Sequence, residues 1–269
     1  MPRFLPIAIF LVCLLDALSA QGPIDGYMKG KGNFDLALTY SREQYDTYLF
    51  GREKQAVSNS AQSVSLFYTL GLNEQMDLVF TLPYIRTDAD NKNLQDAVLA
   101  LKYRNKKLET KNGHWSVITA IGASFPASGY SAATANPIGQ RATVFQVRLL
   151  SQYLDYGGFF FMAQSGFDFR MIPQQQLGLP LILRMGYGNK YFYIDGWVDH
   201  FRTFDPGVDA SISAGEGSVW WKIGSTLYVP VTPFLGGVLG YAKILGGENI
   251  GLSSRFNIGL VWKYDRGER

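Results

Sequence analysis

From Arg255 to Tyr264 the chain alternates strictly. Phe256, Ile258, Leu260, Trp262 and Tyr264 are apolar or aromatic, while Arg255, Asn257, Gly259, Val261 and Lys263 between them are mostly polar or small. A period of two places every second side chain on one face, which predicts a β-strand with one face apolar and the other wet. The same pattern sets Val64, Leu66, Tyr68, Leu70 and Leu72 against Ser63, Ser65, Phe67, Thr69 and Gly71. It sets Leu78, Phe80 and Leu82 against Asp77, Val79 and Thr81, and Leu99, Leu101 and Tyr103 against Val98, Ala100, Lys102 and Arg104. Extended along the chain, it predicts about twelve strands, at 34–41, 62–72, 76–86, 95–104, 115–125, 142–153, 157–170, 179–187, 191–201, 219–228, 234–245 and 253–264.

Many of these runs are nine to fourteen residues long, more than a soluble sheet ordinarily uses and the length of a tilted strand crossing a bilayer. Tight links at 73–74, 154–155, 188–189 and 231–232 take turns with longer polar ones at 51–60, 88–93, 127–140, 171–178, 202–216 and 246–250. Short turns on one side and long loops on the other predict an antiparallel transmembrane β-barrel of the bacterial outer-membrane type. One link, 105–113, breaks the alternation by being long and basic on the short-turn side. A soluble β-sandwich is the competing fold. Its core would have to bury Asp77, Lys102, Arg104, Arg148, Asp168, Arg184, Asp195, Lys222 and Lys263, whereas a hydrated lumen accepts them.

The N-terminus changes the picture of location. Arg3, an apolar run from Phe4 to Leu15 and the small residues around Ser19 and Ala20 read as a signal peptide cleaved after residue 19 or 20. The run ends at Asp16, shorter than the roughly 20 residues of a spanning helix, and no later apolar run approaches that length. The domain reading is therefore a signal at 1–20, a flexible Gly-rich segment at 21–32 and a barrel at 33–269 in the bacterial outer membrane. Cys13, the single cysteine, falls in the signal, so a disulfide framework and a thiol nucleophile are both excluded from the barrel.

Composition agrees: 14% aromatic, 17% charged, 29 Gly and a net charge of +3 not gathered into a basic stripe, which argues against nucleic acid as a partner. Trp115, Tyr153, Phe159, Tyr187, Trp221, Trp262 and Tyr264 stand near strand ends, as interfacial aromatic belts do. The expected partners are outer-membrane lipid and the barrel-insertion machinery, the latter through a last strand ending at Tyr264.

The segment from Gln62 to Gly129 resembles a family of outer-membrane transporters named for the MetA pathway of phenol degradation. The shared features are Asp77-Leu78 before Leu82-Pro83-Tyr84, Gln95-Asp96 before Leu101-Lys102-Tyr103-Arg104, and Phe125-Pro126-Ala127-Ser128-Gly129. The chain departs by having Gln95 where the family tends to have Gly and Ala127 where it tends to have Thr. The resemblance implies a barrel admitting small organic molecules and carries over no substrate residues.

Only His114 and His200 are available for acid–base or metal chemistry, and Asp199 and His200 point to opposite strand faces. No catalytic, metal or cofactor constellation can be assembled, so the expectation is a non-enzyme without cofactors. The lumen charges carry the function instead. Arg148, Arg184, Asp195 and Lys222 fall near mid-height, Asp168 and Arg255 nearer the outer mouth, and Lys102 on the same wet face. Arg184 and Asp195 lie close to opposite registers. The remaining mid-height excess is positive, which predicts a narrow polar pore biased toward anionic or aromatic solutes. The alternative is a filled structural barrel whose loops bind a partner, with Phe160, Met162, Tyr193, Trp197 and Trp220 interlocked across the lumen.

Overall fold

A computed structural model describes residues 24–87, 91–132, 138–204 and 217–266. The signal read at 1–20 and the central parts of the loops at 127–140 and 202–216 lie outside them. Twelve long strands are present: β1 (Phe34–Tyr45), β2 (Asn59–Asn73), β3 (Met76–Thr87), β4 (Asp96–Glu109), β5 (Gly113–Pro126), β6 (Thr143–Asp155), β7 (Phe159–Ile172), β8 (Gln176–Gly188), β9 (Tyr193–Phe204), β10 (Val219–Pro230), β11 (Leu235–Glu248) and β12 (Ser254–Tyr264). Each pairs antiparallel with its sequence neighbour, and β12 pairs back onto β1 from Phe34↔Tyr264 to Gln44↔Ser254, so the sheet is a closed barrel. Closure satisfies every strand edge, which a sheet in hydrocarbon requires. At about 3.3 Å per residue and a tilt of about 40°, twelve residues rise about 30 Å, the thickness of a bilayer core.

The alternation is resolved as expected from the sequence. Leu38, Leu149, Ile258 and Leu260 are each more than half exposed in the middle of strands, as lipid-facing residues are, while Asp77, Lys102, Arg148, Arg184 and Asp195 are buried inside. At the short-turn end the aromatics pair into a belt, with Trp115 against Tyr153, Phe159 against Tyr187, and Phe34 stacked on Tyr264 at 5.2 Å.

Two links differ from the sequence expectation. The long basic link at 105–113 does not exist as such: β4 continues to Glu109 past a bulge between Arg104 and Lys106, and only residues 110–112 connect it to β5. A bulge inserts one residue and exchanges the two faces, so a pattern with strict period two stops there. The expected long loop at 171–178 is likewise short, because β7 runs to Ile172 and β8 begins at Gln176. Also at the loop end, Tyr48–Phe50, Glu53–Gln55 and Ile250–Gly251 form a small three-stranded sheet joining the β1–β2 and β11–β12 connections.

Candidate functional site

The chain before β1 lies inside the barrel. Ile24 sits in an apolar cluster of inward-facing Val79, Ala100, Ile118, Ala120, Leu150 and Met162, with Met28 packed against it. These five strands, β3 to β7, are where the inner face departs from polar, because it is covered by peptide there and not by water. Tyr27 meets Phe160 and Tyr193 edge-on, at ring distances of 5.7 and 6.2 Å.

Polar contacts then tie the segment to the wall. The Lys102 Nζ donates to Asp25 Oδ1 at 2.9 Å and to the Tyr27 carbonyl, and stands 3.4 Å from Asp77 Oδ2. Asp77 in turn accepts from the Lys29 N–H at 3.2 Å. Lys29 Nζ pairs with Asp35 at the start of β1. Burial opposes ionisation of Asp25, but Lys102 and Lys29 outweigh it and hold its carboxyl below the usual range. The backbones also meet: Gly32 N–H donates to Gly71 O at 2.8 Å and Gly71 N–H to Asn33 O at 2.9 Å. Gly71 permits this approach, since a Cβ there would stand 1.8 Å from the Gly30 carbonyl oxygen. The Gly-rich stretch that the sequence presents as a flexible lead-in is thus held over residues 24–33 by burial, ion pairs and backbone hydrogen bonds.

The opposite side of the lumen is open. A cavity of about 440 Å³ runs along β12, β1, β2 and β3, whose inner positions are kept small by Ala37, Thr39, Ser41, Ser63, Ser65 and Thr81. Its other wall comes from β8 to β11 and carries Arg184, Trp197 and Lys222, with Arg255 on β12 joining the two. The lumen is therefore half filled and half hollow. Phe160, Met162 and Tyr193 belong to the filled half, with Phe160 and Tyr193 stacked at 5.5 Å, and Trp197 borders the hollow one.

Of the seven pore-lining candidates, three border this cavity: Arg184, Lys222 and Arg255. The other four are interior without bordering it. Lys102 is under the N-terminal segment. Arg148 bonds the Val147 and Phe167 carbonyls, both at 3.0 Å, and pairs with Asp168 at 2.6 Å. Asp195 accepts from Tyr193 Oη at 2.7 Å and from the Thr226 N–H at 2.9 Å, with Arg184 Nε at 3.6 Å.

The positive excess expected at mid-height from Arg148 and Lys222 is corrected by these contacts, since Asp168 pairs with the first and Asp199 with the second, and Arg255 nearer the mouth is paired as well. Lys222 pairs with Asp199 at 2.7 Å, and Arg255 with Glu43 at 2.5 Å. Charges that must share a low-dielectric wall find partners during folding, and sequence spacing alone does not reveal partners on neighbouring strands. A positive bias survives in how the pairs are oriented. Asp195 and Glu43 do not border the cavity that their arginines do, so the lining carries Lys29, Arg184, Lys222 and Arg255 against Asp25, Asp35 and Asp199, four cations to three anions.

The histidines take no part in this site. Asp199 turns inward to Lys222, while His200 stacks on Trp221 at 4.1 Å and its Nδ1 meets the Trp220 carbonyl at 2.9 Å. The N-terminal segment is what sequence reasoning missed. A signal for it was present, because Val79, Ile118, Leu150 and Met162 occupy the face that should be wet, and an apolar patch inside a lumen needs a cover.

No family model and no curated protein sequence matches this chain. Among solved structures, the COG4313 outer membrane channel from Pseudomonas putida F1 is similar at a TM-score of 0.68 and 14% identity, over 91% of this chain and 100% of that one. The NanC porin is similar at a TM-score of 0.58 and 11% identity, over 85% of this chain and all of that one. The KdgM porin is similar at 0.51 and 8% identity, over 85% of this chain and 99% of that one. At these identities the likeness is one of fold, that of the outer-membrane barrel.

Proposed function

We propose that this protein is a narrow channel of the bacterial outer membrane that passes small polar solutes passively, with a bias toward anions. What carries this is the partly hollow lumen: a cavity of about 440 Å³ of mixed polar and apolar lining, fronted by Arg184, Lys222 and Arg255, beside a segment that narrows the barrel without filling it. Fixed cations bordering a confined aqueous space raise the local concentration of anions and lower that of cations. The fold shared with the COG4313 channel and with two porins supports the same function. It also supports kinship with the phenol-degradation-type transporters that residues 62–129 resemble.

The proposed channel performs no chemistry. Its partners are membrane lipid along the apolar belt and, through the strand ending at Tyr264, the machinery that inserts barrels. Swelling of vesicles carrying the refolded protein tests the proposal: small organic anions should enter faster than neutral solutes of equal size. Equal rates, or no entry with correctly folded protein, would reject it.

A further inference from the structure

We infer that the lumen cavity is a binding site for a small monocarboxylate with an apolar body, whose carboxylate is anchored by Arg184 and whose body rests against Trp197. This presupposes the channel proposed above and names what it selects.

Arg184 is unlike the other cations that border the cavity. Lys29, Lys222 and Arg255 each make a close ion pair, with Asp35, Asp199 and Glu43. Arg184 is only 4% exposed, yet its Nε stands 3.6 Å from Asp195, beyond hydrogen-bond distance, and neither Nε nor Nη1 has a hydrogen-bond partner. Asp195, whose two oxygens accept from Tyr193 Oη and the Thr226 N–H, stands too far off to supply one. The guanidinium therefore receives the field of a carboxylate without its hydrogen bonds, and under-bonded buried donors are costly. Asp25, the acid that shares this end of the cavity, is engaged by Lys102 at 2.9 Å. Arg184 borders the cavity with Nε and Nη1 beneath its surface, so a carboxylate entering there offers what is missing once the side chain turns toward it, its two oxygens matching the planar fork of an arginine.

The rest of the wall suits an apolar body. Gly224 lies beneath Trp197, where a Cβ would come within 2.3 Å of the indole, so the ring lies flat on the wall beside Arg184, its cross-strand partner. Ile182, Phe67, Val238 and Val261 extend the apolar lining. A volume of about 440 Å³ is of small-molecule size. Lys222 and Arg255 border the same cavity nearer the loop end and attract the anion before it reaches Arg184. A single under-bonded guanidinium selects one carboxylate rather than two.

The experiment titrates benzoate and its neutral analogue benzamide into the folded protein in detergent micelles, reading tryptophan fluorescence and heat. Benzoate should saturate, with benzamide roughly tenfold weaker or worse, and Arg184→Gln should weaken benzoate by a similar factor while leaving benzamide unchanged. Equal binding of the two compounds, no saturation by benzoate at millimolar concentration, or unaltered benzoate binding by Arg184→Gln would overturn the inference. The benzoate–benzamide comparison needs no variant, so it decides even where Arg184→Gln does not fold. Because binding is read without current, a silent bilayer rejects the channel alone, and a conducting protein indifferent to benzoate rejects the site alone.

Discussion

The Lys102 ammonium lies 2.9 Å from Asp25 and is itself 1% exposed, so one side chain of the barrel wall fixes the position of the segment inside it. Removing one member of a buried ion pair leaves the others uncompensated and costs about 3–5 kcal/mol. Lys102→Met would leave Asp25 and Asp77 side by side without the ammonium between them, with Lys29 as the remaining nearby cation on the segment. The expected result is a segment that leaves the wall. A thiol probe at Tyr27→Cys, on a Cys13→Ser background, should react much faster in the Lys102→Met protein than in its parent. Equal, slow labelling in both would show that the ion pairs do not hold the segment.

Gly71 gives an independent handle on the same docking. Gly71→Ala would drive a methyl to within 1.8 Å of the Gly30 carbonyl oxygen unless the segment shifts, an overpacking of about 1–3 kcal/mol. Gly237→Ala, at a position with nothing within 4 Å of the added Cβ, serves as the matched control and should be near neutral. Thermal unfolding and the Tyr27→Cys labelling rate should both respond to the first change and neither to the second.

Arg148 separates stability from selectivity. Its guanidinium is spent on Asp168 and on the Val147 and Phe167 carbonyls and does not border the cavity. Arg148→Ala should cost about 3 kcal/mol of barrel stability, by stranding Asp168, while leaving ion preference as it was. A shifted reversal potential in this variant would place the filter where the contacts do not.

The outer face is tested by Leu260, midway along β12 and 58% exposed. Leu260→Arg should destabilise refolding into vesicles by about 2–4 kcal/mol, as a charge at the bilayer midplane does. An effect of a few tenths would mean that this face meets water.

The strands were legible because lipid on one side and water on the other write a period of two into the residues, as in Phe256 to Tyr264. That period failed where the backbone stopped obeying it. The bulge between Arg104 and Lys106 turned the end of β4 into an apparent loop. Ion pairs were partly legible: Arg184 and Asp195 follow from adjacent registers, but Arg255 finds Glu43 only once β12 closes onto β1, 212 residues away in sequence. The segment at 24–33 was hidden by its glycines, which read as freedom in isolation. They are close-approach positions only once Gly71 and the inner wall are beside them.

A conducting lumen whose cations set its preference has a direct electrical signature. Single-channel recording in a planar bilayer under a salt gradient tests it most directly, comparing the parent with Lys222→Glu and Arg255→Glu. Discrete conductance steps are expected, with an anion-preferring reversal potential that moves toward cations in both variants. Silence from protein shown to be folded, or a reversal potential indifferent to both charge reversals, would contradict it.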